Sequence, residues 1–387
     1  MKHNWEYKPF GALCEIVRGS SPRPIQDYIT KDENGLNWIK IGDVSVGSKY
    51  ITSTKEKIKR EGLKKTRQVF KGDFILSNSM SFGRPYILKI DGCIHDGWLA
   101  IKGVERNFIP DFLYYLISSP QTYQTFEKLA KGGVVNNLNS DLVKSIVVPI
   151  PPMEVQEEIV AELDKINEVM ADCRELLRTL DSLAQSLFYD YFGDPVTNPK
   201  GWEIKSIQSF AKTTAGGTPS KSHPEYYENG TIKWLRSGEV CKMNIEDTEL
   251  RITEIGMQNS SAKAVPENSV AVAMYGATAG QVGIIRCAMT LNQAICAIFP
   301  NNVTNSIYLY FCLTSLKNNL LKVAHGAAQP NISQSIIKTT KLPVPPLQLQ
   351  EEFAARIEQI EEQKKAVEET ISTLQTLLDS RMDYWFN

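Results

Sequence analysis

Two stretches of the chain carry the same seven-residue rhythm of apolar positions. From Ile159 the apolar residues recur at Leu163, Ile166, Met170, Cys173, Leu177 and Leu180, in alternating steps of four and three. The register returns in the second half at Phe353, Ile357, Ile360, Lys364, Val367, Ile371 and Leu374. That spacing is a heptad seam, and it predicts two helices of ~40 residues, each ~60 Å long at 1.5 Å per residue. An antiparallel coiled coil is the expected pairing, since both seams would otherwise face water. The alternative is that each helix lays its stripe on its own globule. Lys364, where the first stretch has Met170, is either a register-setting polar residue or a snorkelling side chain.

The remaining sequence has a different texture. Short β-branched and aromatic runs (Phe74-Ile-Leu, Ser145-Ile-Val-Val, Val270-Ala-Val-Ala, Gly283-Ile-Ile) alternate with Gly/Ser/Asn loops, which predicts α/β or α+β globules with several short strands. Pro149-x-Pro-Pro152 and Pro343-x-Pro-Pro346 are expected to end each globule and stop any strand.

These parts are written twice, in the same order. Ser21-Pro22 matches Thr218-Pro219, Trp38-Ile-Lys-Ile-Gly-Asp-Val44 matches Trp234-Leu-Arg-Ser-Gly-Glu-Val240, and Pro149-Ile-Pro-Pro152 with Gln156 matches Pro343-Val-Pro-Pro346 with Gln350. Four segments result: a globule over 1–150, a helix over 151–193, a second globule over 194–345 and a second helix over 346–387.

Charge follows the same division. The chain as a whole has 43 basic and 44 acidic side chains, a formal net charge of −1. Sorted by segment, the globules carry +7 and +4 and the helices −7 and −5. Basic globules suit a polyanion. The densest patch is Lys55, Lys57, Lys59, Arg60, Lys64, Lys65 and Arg67; its alternative is a solvated helix face. The acidic helices suit a protein partner or separation of the globules.

Signatures of catalysis do not stand out. Gly216-Gly-Thr-Pro-Ser-Lys-Ser222 has the wrong spacing for a phosphate-cradling loop, and Asn198-Pro-Lys-Gly201 lacks the second proline and aromatic of an amino-methyltransferase tetrapeptide. The four histidines have no metal-ligand spacing, and His95, matched by Asn292, is expected to be a structural hydrogen-bonder. Seven cysteines without a C-x-x-C pair, behind a start that lacks an apolar stretch, point to a reducing cytoplasm, and no transmembrane segment is expected.

Tyr275-Gly-Ala-Thr-Ala-Gly280, Leu291-Asn-Gln-Ala-Ile295, Ala328-Gln-Pro-Asn-Ile-Ser333, the Leu342-Pro-x-Pro-Pro346 element and the junction Phe188-Tyr-Asp-Tyr-Phe-Gly-Asp-Pro195 resemble the DNA specificity subunits of type I restriction-modification systems. The first copy departs more, with Ser79-Met-Ser-Phe-Gly83 and Gly133-Val-Val-Asn-Asn137 at the corresponding places. The resemblance implies two target-recognition domains separated by two long antiparallel helices, each domain reading one half of a bipartite, asymmetric site in double-stranded DNA. It implies a non-catalytic chain, with S-adenosylmethionine and ATP on partner subunits. Two modification subunits would dock on it, with room for restriction subunits.

Base discrimination calls for Arg or Lys towards guanine and Asn or Gln towards adenine. The candidates are Arg18, Arg23, Lys40, Ser79, Arg84 and Asn137 in the first copy, and Lys221, Arg236, Tyr275, Thr278, Gln329 and Asn331 in the second. Asn137 and Asn331 are alternatively helix caps. Two competing functions remain, a stand-alone DNA-modifying or DNA-cleaving enzyme with an unrecognised site, and a coiled-coil scaffold without a DNA role.

Overall fold

The structure is a computed structural model that describes residues 4–44, 47–78, 82–130, 138–323 and 331–387. It divides into two compact units, Met1–Cys173 with Thr370–Asn387, and Arg174–Glu369. Each is a globule completed by pieces of both long helices.

In the first unit one five-stranded sheet runs Glu15–Arg18, Trp98–Lys102, Phe74–Ser77, Pro85–Leu88, Tyr50–Ile51, and another runs Ile29–Thr30, Glu56–Ile58, Leu36–Ile39, Gly92–Ile94, Arg67–Val69. The second unit repeats the plan with Thr213–Ala215, Ile295–Ile298, Val270–Ala273, Val282–Ile285, Asn244–Ile245, and, among the described residues, a four-stranded partner sheet, Arg251–Ile252, Ile232–Leu235, Met289–Leu291, Ala264–Val265. The central strands Phe74–Ser77 and Val270–Ala273 are buried throughout, which is why they read as continuous apolar runs.

The Pro-x-Pro-Pro elements stop the strands as expected, but at their second proline and not their first: the strands end at Ile150 and Val344, directly before Pro151-Pro152 and Pro345-Pro346. Pro149 lies inside Val147–Ile150, paired antiparallel with Glu6–Pro9, and Pro343 lies inside Lys341–Val344, paired with Glu203–Ser206. Both ribbons are two-stranded, so each proline sits on an edge where its missing N–H costs no ladder bond. The long helices start just beyond, spanning Met153–Phe192 and Leu347–Phe386.

The heptad seams are buried in two ways at once. In the first unit Ile159, Leu163 and Met382 join the globule's core with Phe10, Phe74 and Phe112. In the second, Leu180, Phe188, Phe192, Phe353, Ile357 and Ile360 join Val270, Ile284, Tyr308 and Phe311. Helix pairing and packing on a globule, posed as alternatives, therefore coexist. Within each unit the helices meet antiparallel: Glu162 binds Arg381 and Trp385, and Asp181 binds Lys364. Cys173, Leu177, Val367, Ile371 and Leu374 are only half-buried.

Candidate nucleic-acid interface

At one end of the first sheet of each unit, loops converge through the same backbone hydrogen bonds. In the first unit the N–H groups of Gly19, Ser20, Asn78 and Leu138 donate to the carbonyls of Trp98, Ile94, Gly97 and Asn78. In the second, Gly216, Gly217, Met274 and Ile332 donate to Ile295, Leu291, Ala294 and Met274. The approach is close enough to require glycine, because a Cβ on Gly19 would lie 2.1 Å from the His95 carbonyl oxygen, and one on Gly216 2.2 Å from that of Asn292.

Polar side chains gather on this scaffold. Asp96 accepts from Ser21 Oγ at 2.7 Å, faces the Arg23 guanidinium at 3.7 Å, and offers its carbonyl to Arg18 Nε at 3.1 Å and Asn78 Nδ2 at 3.0 Å. The Ser21 hydrogen bond outweighs burial and holds the Asp96 carboxyl below its ordinary range. Gln293 takes the equivalent place in the second unit and is hydrogen-bonded by the Thr218 hydroxyl. The candidate residues drawn from the sequence omit Asp96 and Gln293; their signal is position, one residue after the His95/Asn292 pair in the matched segments. His95 Nδ1 accepts from the Gly97 N–H at 2.6 Å, and Asn292 Oδ1 from the Ala294 N–H at 3.1 Å, so both close the same turn.

Lys40 and Arg236 occupy matching sites, each held by acids. The Lys40 N–H donates to Asp43 at 2.8 Å and its ammonium to Glu56 at 2.5 Å. The Arg236 N–H donates to Glu239 at 3.0 Å, and its guanidinium binds both Glu239 and Glu249. The acid three residues downstream of each cation was the available signal. Arg23, Arg84, Lys221, Tyr275 and Asn331 are exposed, and Thr278 is half-buried in the loop after Val270–Ala273. The Ile332 N–H to Met274 carbonyl bond brings Asn331 to the Tyr275–Thr278 loop. Asn331 caps no helix; the N-caps are Asn139 and Ser333, two residues further on in each copy. Ser79, Asn137 and Gln329 lie outside the described residues.

The basic patch lies on strands and a 3-10 turn, Glu56–Ile58, Arg60–Lys65 and Arg67–Val69, rather than on a helix face. Four of its five lysines donate to uncharged oxygens: Lys55 to the Gly42 carbonyl (3.0 Å), Lys57 to the Glu33 carbonyl (2.7 Å), Lys59 to the Asp27 carbonyl (2.7 Å) and Lys65 to the Tyr28 hydroxyl (2.7 Å). Among the described residues none of these four ammonium groups pairs with a carboxylate, so their charge is oriented yet not neutralised. The corresponding sheet of the second unit is different, with Lys233 and Arg251 sharing Asp247.

A duplicated basic globule, with converging polar loops and a pair of acidic helices, defines a two-domain DNA-recognition protein. Comparison with known proteins specifies it further. The model of the type I restriction modification DNA specificity domain matches residues 2–175 and 199–375, and the chain belongs to that family. It is 27% identical over 254 residues to the EcoR124I/EcoR124II specificity subunit of Escherichia coli, a match covering 62% of each chain. It is 22% identical over 406 residues to the MjaIX specificity subunit of Methanocaldococcus jannaschii, covering 97% of this chain and 91% of that one. A solved chain of a type I restriction-modification system shares the fold with a TM-score of 0.63 at 20% identity, over 99% of this chain and 97% of that chain. The S subunit from M. genitalium does so at 0.57 and 14%, over 98% and 95%. Among the described residues no helix is long and apolar enough to cross a membrane.

Proposed function

We propose that the chain is the non-catalytic specificity subunit of a DNA methyltransferase and restriction complex, each unit reading one half of a bipartite, asymmetric site. The observation that carries this reading is the first unit's patch, whose ammonium groups are aimed by neutral acceptors and left free to neutralise phosphates. The loops that converge on Asp96 and Gln293 supply the polar groups for reading base edges. The long helices set the gap between half-sites and dock two modification subunits, with S-adenosylmethionine and ATP held by partner subunits. All seven cysteines are free thiols, which suits a reducing cytoplasm.

Methylome sequencing of a host with and without the gene tests this reading. The expected result is a split consensus that disappears with the gene, and that changes in one half only when residues 1–145 are replaced by those of a relative. Methylation by the reconstituted complex without a split consensus would overturn it, and methyl transfer by the purified chain alone would favour an enzyme.

A further inference from the structure

Each globule is tied to a long helix through the edge strand of its first sheet, and the two ties differ in kind. The edge strands Tyr50–Ile51 and Asn244–Ile245 pair parallel with Pro85–Leu88 and Val282–Ile285, which makes Tyr50 and Asn244 equivalent. A cation braces each: the Lys89 ammonium lies 4.1 Å from the Tyr50 ring centre, and Arg286 Nε donates to Asn244 Oδ1 at 2.7 Å.

In the first unit the tie reaches a single long helix. Lys49 bridges Asp111 (2.6 Å) and Asp164 of the helix (3.1 Å), the Tyr50 hydroxyl donates to Asp111 at 3.1 Å, and the Tyr115 hydroxyl donates to Asp164 at 2.5 Å. In the second unit it runs through one helix into the other. Asn268 accepts from Arg286 (3.1 Å), Arg286 binds Asn244, and Asn244 Nδ2 donates to Glu361 (3.1 Å); Glu361 then pairs with Lys364 (2.8 Å), and Lys364 with Asp181 of the other helix (2.8 Å). Lys364 and Glu361 are each about four-fifths buried, whereas Asp181, which receives the link on the other helix, is about two-thirds exposed. Burial works against the charge on Lys364, and the hydrogen bonds to Asp181 and Glu361 outweigh it. Lys364 is thus neither a snorkelling side chain nor only a register mark. It joins the helix pairing to the sheet edge.

Directional bonds constrain angle more than apolar contact does, because apolar side chains can slide and repack while Glu361 and Lys364, buried together, are strongly penalised if either loses its partners. We propose that the chain Arg286–Asn244–Glu361–Lys364–Asp181 fixes the angle of the second globule on the helix pair, making Asn244, Glu361 and Lys364 positioning residues for gap length. The inference rests on the reading of the protein as a bipartite DNA-recognition subunit. The first unit, with Met170 at the place of Lys364, holds its globule without this cross-helix bond.

The test uses the full chain reconstituted with its modification subunits and a DNA library carrying both half-sites at gaps from two base pairs shorter to two longer than the native one. Methylation at each gap is sequenced, and thermal unfolding is followed in parallel. Lys364→Met installs the first copy's side chain and keeps the seam apolar, and Glu361→Gln keeps the hydrogen bond to Asn244 while weakening the ion pair. Both are expected to reduce discrimination against gaps one base pair off by about tenfold, with both half-site sequences unchanged. If the gap profile stays as in the parent chain, the inference fails, whatever the change in melting temperature. If the parent chain itself shows no split site, the underlying reading fails instead. Should Lys364→Met not fold, Asn244→Ala, which cuts the tie at the strand, decides between the same outcomes.

Discussion

Gln156 is wholly buried and uses its entire amide: Oε1 accepts from the Ile109 N–H at 2.9 Å, and Nε2 donates to the carbonyls of Asn107 and Pro151, both at 3.0 Å. Gln350 does the same with Asn305 (2.9 Å), Val303 (3.1 Å) and Pro345 (2.8 Å). Each glutamine pins the first turn of a long helix to the loop before a shorter helix of the globule, Pro110–Ser118 in the first unit and Ser306–Ser315 in the second. Gln156→Leu leaves one N–H and two carbonyls without partners, the Pro151 carbonyl buried and the other two groups half-buried, at about 1–3 kcal/mol for a buried unsatisfied group. A loss of roughly 3 kcal/mol is expected in chemical denaturation, with hydrogen exchange rising first around 105–112 and 150–158. His95 offers a pH-dependent counterpart. Burial leads in lowering its pKa below 6.5, Asp96 and Asp43 oppose that and Lys40 adds to it. The unfolded chain therefore binds the proton first, and stability falls as pH drops through about 6.5 towards the folded-state value. His95→Asn keeps the turn, as Asn292 shows, and removes this dependence; denaturation at pH 7.5 and 5.5 measures it. The repeat made Gln156 and His95 visible as matched positions, but their partners are ~50 residues away or on backbone. Likewise Lys40 and Arg236 were legible as cations in a matched motif, whereas their second acids come from elsewhere, Glu56 from another strand and Glu249 from the loop before Arg251–Ile252. Because both copies share this arrangement, it cannot by itself distinguish two half-sites.

At the level of elements, the long helices were readable because a heptad is a local, sustained signal; each is 40 residues. The sheets were readable only as short strands. Their order depends on pairings far apart in sequence, such as Trp38–Ile39 with Cys93–Ile94, which no local pattern encodes. Charge behaves differently on the two partner sheets, and that yields a prediction. If Lys55, Lys57, Lys59 and Lys65 contact phosphates, replacing any two by Gln lowers the slope of log affinity against log salt by about 0.9 per lost contact. Lys233→Gln, already paired with Asp247, should change it by far less. Filter binding of the assembled complex from 50 to 200 mM salt measures both, and equal slopes would remove the patch from the DNA interface.

For the whole molecule, duplication was legible and the partition of the chain between units was not. The heptad continues across Cys173 in the first helix and across Thr370 in the second, so nothing local marks either as a boundary. Yet residues 370–387 belong with the first globule: Met382 is buried in its core, Trp385 stacks on Trp5 with ring centres 6.4 Å apart, and Phe386 lies 5.7 Å from Phe112. Burying one such side chain is worth about 1.5–3 kcal/mol, so several together rival the 5–15 kcal/mol that holds a domain. Ending the chain at Glu369 should therefore unfold or loosen residues 1–173 while leaving 174–369 protected, an outcome that hydrogen exchange by mass spectrometry can read segment by segment.

That closure also has a timetable. A ribosome adds ~5–20 residues per second, so the first globule emerges and then waits on the order of 10–40 s, while Arg174–Glu369 is made and can fold, before its own closing segment arrives. The part of the protein synthesised first is completed after the part synthesised second. During that interval the apolar faces of Ile159, Leu163 and Phe112 lack their cover, and in the cell they are the surfaces for which a chaperone or another nascent chain would compete.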